Sequence, residues 1–101
     1  FILLDKAGQR DRDVMCVFER AGVVPQVRFA TLDDYAIMSM VEHGLGVSIL
    51  PKLVLTRIPY RIALRPLEQS AFRQIGLAVR RGDPLSPATS RFMAYLAYRN
   101  S

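Results

Sequence analysis

The stretch TLDDYAIMSMVEHGLGVSILP, residues 31–51, decides the fold. Thr31 reads as a helix N-cap, because its hydroxyl can accept a hydrogen bond from a first-turn amide. Asp33 and Asp34 follow in that turn, where negative charge opposes the positive end of the helix dipole. Ile37, Met40, Val41 and Gly44 recur at i, i+3, i+4 and i+7, which puts them on one face. The spacing predicts a helix near 32–43 that stops at His43-Gly44. Residues 47–50 form a short apolar run of the kind that fills a buried strand, and Pro51 terminates it.

Upstream the same alternation of elements recurs. Residues 1–4, FILL, read as another buried strand, and residues 5–12 are polar with Gly8 as a breaker. Asp11 and Asp13 sit at a helix start, and Val14, Val17, Phe18 and Ala21 make one apolar stripe over 11–21. Gly22 suits a left-handed helix end and Pro25 prevents continuation. Residues 26–30 alternate, with Val27 and Phe29 on one side and Arg28 on the other. The order strand, helix, strand, helix, strand predicts a parallel, right-handed α/β unit. Its first strand lies between the other two, which leaves 26–30 as an edge.

Downstream of Pro51 the pattern changes. Residues 52–57 read as one helical turn. Residues 60–65 alternate up to Pro66, and 73–80 read as a strand with Ile75, Leu77 and Val79 on one face. A turn follows at 81–84, and Ser86-Pro87 places an N-cap before a proline at the first helical position. The last helix, 88–99, carries Phe92, Tyr95, Leu96 and Arg99 on one side.

The chain has 101 residues, half of them apolar and 23% charged, which suits one small globular domain. No apolar run approaches the ~20 residues of a membrane helix. The opening residues lack a charged start and a cleavage site, so no signal peptide is expected, and the absent initiating Met suggests a piece of a longer chain. A single cysteine excludes an internal disulfide framework and fits a cytoplasmic protein. Cys16 and the lone His43 cannot build a closed zinc site, and no metal or cofactor is expected. Residues 1–56 carry a net charge of −1 and residues 57–101 carry +6. The arginines are scattered without Lys/Arg blocks or aromatic interleaving, so direct nucleic-acid binding by this chain is not expected. Catalysis has no support either. His43 reads as a favourable group at a helix C-terminus, Cys16 as a packed or interfacial thiol, and no Ser/His/Asp set or carboxylate pair stands out.

Residues 31–51, with V-x-x-G-L-G-V-S-I-L-P from Val41 to Pro51, resemble the signature of the effector-binding domain of LysR-type transcriptional regulators. The later pieces fit in order: R-P-L from Arg65, R-x-I-x-L-A-V-R from Arg73, and S-P-A-x-x-x-F-x-x-Y-L from Ser86. The resemblance implies one lobe of a periplasmic-binding-protein-like (type 2) α/β domain, a mostly parallel sheet flanked by helices. Residues 1–72 would be the second lobe, and 73–101 the return strand and C-terminal helix. In such regulators a small-molecule effector sits between two lobes and modulates DNA binding by an oligomer. DNA itself is read by an N-terminal winged helix-turn-helix, which, like the first lobe, this chain would lack.

In an open α/β sheet, ligands lie at the carboxyl ends of the strands. The resemblance places effector contacts there, on Lys6, Gln9 and Arg10 of the first loop, on Thr31 and on Pro51. An effector carboxylate would point to the basic loop at the first helix, because Asp33 and Asp34 already occupy the start of the second. Gly44 and Gly46 read as turn glycines, since no phosphate-binding glycine pattern follows a strand. The alternative function is a lobe of a transport-type solute-binding protein, on a similar fold. Self-association is expected, through the final helix or the Cys16 face, because both would lack the surfaces they meet in the family.

Overall fold

The computed structural model describes residues 1–6, 9–82 and 84–96. Its elements are β1 (Ile2–Lys6), β2 (Gln9–Arg10), α1 (Arg12–Ala21), β3 (Phe29–Thr31), α2 (Asp34–Glu42) and α3 (Pro87–Leu96). The sheet order is β2-β1-β3. Strands β1 and β3 are parallel, with Ile2 opposite Phe29 and Leu4 opposite Thr31, while β1 and β2 are antiparallel.

The apolar run of β1 is buried as expected of a strand covered on both faces: Ile2, Leu3 and Leu4 all lie in the core. Helix α2 packs on β1 and β3, with Ile37 and Met38 buried. Ile2, Leu4 and Ile37 form one cluster, with Met40, Val41 and Leu50 packed against it. On the other helix, Val14 is buried, and the Phe18 ring meets Phe1 edge-on at 4.9 Å between centroids. Edge-to-face packing is a favoured aromatic geometry.

Both helix ends near the sheet are closed by the residues the sequence supplies. Gly22 has φ +68°, and the amides of Gly22 and Val23 donate to the carbonyls of Glu19 and Phe18. Gly44 has φ +76°, and the amides of Gly44 and Leu45 donate to Val41 and Met40. Both are the paired C-terminal bonds of a Schellman ending. At α3, the Ser86 hydroxyl accepts from the Thr89 amide at 3.2 Å, as an N-cap should. The part of the final helix expected beyond Leu96 lies outside the described residues.

Residues 47–50 are not a strand, and this corrects the expected three-stranded parallel core. One rung forms, from the Ile2 amide to the Val47 carbonyl at 2.9 Å. The next acceptor, the Ile2 carbonyl, takes the Ser48 hydroxyl at 2.7 Å instead of a backbone amide. A side chain competing for a ladder position ends the ladder. Farther along the same edge, the Leu4 carbonyl accepts from the Asp11 amide, and β2 pairs with β1 there. The first strand is still the middle one, and β3 is an edge, shifted to Phe29–Thr31.

Residues 60–65 and 73–80 are not strands either. Alternation makes a strand only when a second surface buries one side, and here Ile75, Leu77 and Val79 are all exposed. The six buried side chains among the described residues all lie between Ile2 and Met38. The radius of gyration is 17.3 Å, against about 13 Å for a compact chain of this length. The C-terminal half is therefore a limb that leaves the core rather than a part of it.

Candidate functional site

Strands β1 and β3 run parallel, so their carboxyl ends share one sheet edge. Lys6 and Gln9 face each other across the β1–β2 pairing, and Asp5 faces Arg10. Thr31 ends β3 opposite Leu4, two residues before Lys6. Four of the five sequence-assigned contacts thus fall on one edge in adjacent register. Of these, Arg10 is exposed and Thr31 half-buried. Pro51 follows Leu50, which packs on the Ile2–Leu4–Ile37 cluster, and the Pro51 carbonyl accepts from the Val54 amide at 3.0 Å.

Thr31 does not cap α2, contrary to the reading from sequence. Asp33 does, its Oδ1 accepting from the Tyr35 amide at 2.9 Å. The Thr31 Oγ1 accepts only a long bond, 3.4 Å, from the Asp33 amide. Asp33 wins because a carboxylate at a helix start gains both the hydrogen bond and the dipole interaction. Thr31 is left with a hydroxyl at the sheet edge and little structural duty.

The start of α1 is also occupied. Asp11 Oδ1 accepts from the amides of Asp13 and Val14 at 3.1 and 3.4 Å. Arg73, from far along the chain, donates to Asp11 and to Asp13, the latter at 2.9 Å. The Arg73 pKa is pushed further up, chiefly by its hydrogen bond to Asp11; partial burial opposes this but is outweighed by that bond together with the Asp13 bond and the attraction of both carboxylates. The α1 amides therefore already hold a carboxylate of the chain itself.

Sequence reading missed two groups. Asp5 Oδ1 and Asp34 Oδ1 are buried and, among the described residues, accept no hydrogen bond. An uncompensated buried acceptor is costly, and Asp5 ends the same strand that carries Lys6. Acidic residues beside a loop give no such signal in one dimension. His43, at the far end of α2, bonds through Nδ1 to the Ser39 carbonyl at 2.7 Å, which closes the helix. Cys16 is exposed. No group of three metal-ligating side chains is found among the described residues, and no described helix is long and apolar enough to cross a membrane.

Residues 1–100 match the family model of the LysR substrate binding domain. The chain is 39% identical over 61 residues to the uncharacterized HTH-type transcriptional regulator YbhD of Escherichia coli (strain K12), covering 58% of this chain and 19% of that protein. It is 32% identical over 96 residues to the uncharacterized HTH-type transcriptional regulator YybE of Bacillus subtilis (strain 168), covering 95% of this chain and 33% of that protein. The chain thus spans a third or less of these relatives. No solved structure matches it.

Proposed function

The chain belongs to the LysR substrate binding domain family, and on that premise we propose that it is the effector-sensing second lobe of a cytoplasmic LysR-type transcription regulator. A small molecule held between this lobe and the first would change how the full oligomer sits on DNA. The observation that carries the site is the shared register of Lys6, Gln9, Arg10 and Thr31 at the carboxyl edge of the sheet. Lys6 and Arg10 bring positive charge, while Thr31 and Asp5 bring oxygen atoms. The effector that suits this edge is a small polar molecule with an anionic end and at least one donor. Pro51 would border it from the turn after Leu50. Both named relatives are HTH-type transcriptional regulators, which favours this reading over a transport-type solute-binding lobe.

Thr31→Val tests the contact. Valine keeps the branched shape that suits a strand end and removes only the hydroxyl. Because Thr31 is not the helix cap, the melting temperature should scarcely change. In the full regulator the concentration of effector for half response, once found by screening small polar metabolites for thermal stabilisation, should rise about tenfold, as for one lost hydrogen bond to a ligand. An unchanged dose-response in a folded variant removes Thr31 from the site.

DNA recognition is proposed to lie outside this chain. Its net charge of +5 supports only attraction to phosphates, and such binding falls steeply with salt. In a mobility-shift assay the 101-residue chain should retain duplex DNA weakly at low salt, with no preference for sequence, and release it at physiological salt. Sequence-selective retention at physiological salt would overturn this assignment.

A further inference from the structure

Among the described residues, the limb beyond Pro51 contributes none that is buried. Polar ties hold it. The Arg61 amide donates to Glu42 Oε2 at 2.7 Å, and Arg20 Nη2 reaches the Ser70 carbonyl at 3.4 Å. The third tie is the strongest in chemistry: Arg73 forms ion pairs with Asp11 and Asp13 at once, across 62 and 60 residues of chain. The Asp11 side chain is only 11% exposed. Its two oxygens do different work, because Oδ1 caps α1 and Oδ2 meets Arg73. Asp11 directly follows Arg10, the last residue of the candidate effector loop.

We propose that Arg73 is a positioning residue: with Asp11 and Asp13 it forms a clasp that fixes the limb to the start of α1, just after Gln9 and Arg10 of the candidate effector loop, so that the limb's course and the placement of β2 change together. The regulatory meaning of the clasp rests on the reading of that loop as the effector site. A planar guanidinium can fork to two carboxylates, and a lysine ammonium cannot do so with the same geometry. Charge-assisted bonds of this kind are roughly twice as strong as neutral ones. Arg73 is a third exposed, but Asp11 is sheltered at 11% whereas Asp13 is more than half exposed, so salt screens the Asp13 member more than the Asp11 one. A charged group of an effector drawn to Arg10 would act one residue from the clasp. The loop and the limb are thereby joined without passing through the core.

Limited proteolysis of the natural full-length protein tests the clasp without any effector. Phe72, next to Arg73, is 91% exposed, and chymotrypsin cleaves after phenylalanine when the backbone can extend into its cleft. The clasp holds that backbone at residue 73. The variants are Arg73→Gln, Arg73→Lys, Asp11→Asn and the double Arg73→Gln/Asp11→Asn. Asparagine keeps an oxygen for the α1 cap but removes the charge. Each rate is divided by that of the matching free peptide, which cancels the change beside the scissile bond. Nicking after Phe72 should speed up about threefold to tenfold in Arg73→Gln and in Asp11→Asn, and less in Arg73→Lys. The double variant should be no faster than the faster single one, because the two share one interaction. Helical circular dichroism should be unchanged in Asp11→Asn. Unchanged nicking in the single variants, or a double variant equal to their product, would overturn the clasp. The effector reading fails separately, through the Thr31→Val dose-response.

Discussion

Ile37→Ala should lower the stability of the chain by about 3 kcal/mol, within the range found for truncating a buried branched side chain. Ile37 is 0% exposed and joins α2 to Ile2 and Leu4 of β1. Three carbons leave the core, which at about 0.8 kcal/mol each accounts for roughly 2.4 kcal/mol, and the remaining cavity adds to it. The effect is large relative to the whole because only six side chains are buried among the described residues, and Ile37 is one of the four buried fully. Small domains hold only about 5–15 kcal/mol in reserve. Tyr35, on the same helix and 60% exposed, provides the control, and Tyr35→Ala should change stability by less than about 0.5 kcal/mol. The measurement is a urea titration followed by circular dichroism, with the slope of the transition compared across variants. Equal losses for the two substitutions would show that α2 does not pack on β1 through Ile37.

The elements that were legible in the sequence are those whose causes are local. Gly22 and Gly44 end helices because they adopt positive φ without a steric cost, and the structure shows both doing so. The stripe of α2 and the run at β1 were legible because burial follows period and apolarity. Thr31 was misread because T-L-D-D offers three capping side chains within four residues. Propensity does not say which of them the backbone will present. Residues 47–50 were misread for a different reason. Their apolar run is strand-like, but Ser48 spends its hydroxyl on the Ile2 carbonyl and the ladder stops. Residues 73–80 alternate as a strand should, yet among the described residues no strand lies beside them to form a ladder. The same limit applies to the site. Lys6, Gln9, Arg10 and Thr31 are assigned by the family resemblance together with the position of strand ends on an α/β sheet. Arg73 is not, because it is one of fourteen basic residues and its partners are 60 and 62 residues away.

The isolated 101-residue chain should sediment above 11.4 kDa at high concentration and approach that mass on dilution. The cause is the limb. Phe72, Ile75, Leu77 and Val79 are exposed along one segment, and Phe92 and Tyr95 stand out from α3. Contiguous apolar surface of this extent is unusual on a stable monomer. Pro87, Ala88, Arg91, Phe92 and Tyr95 also line a shallow, open groove along α3. A second copy can offer such a groove the same aromatic residues, and exchange of an identical element needs no new chemistry. The charge of +5 opposes this association, so added salt should strengthen it by screening repulsion between copies. An association driven by ion pairs would weaken instead. Phe92→Ser removes a large apolar side chain from the exposed face of α3 and leaves the core untouched. It should weaken association at least tenfold, since burying a phenylalanine is worth about 1.5–3 kcal/mol. In the full regulator α3 is proposed to pack on the first lobe, and the same substitution should then leave the oligomer intact while loosening the two lobes. A chain that stays monomeric at every concentration, with or without salt, would mean that the limb satisfies its apolar side chains within one molecule.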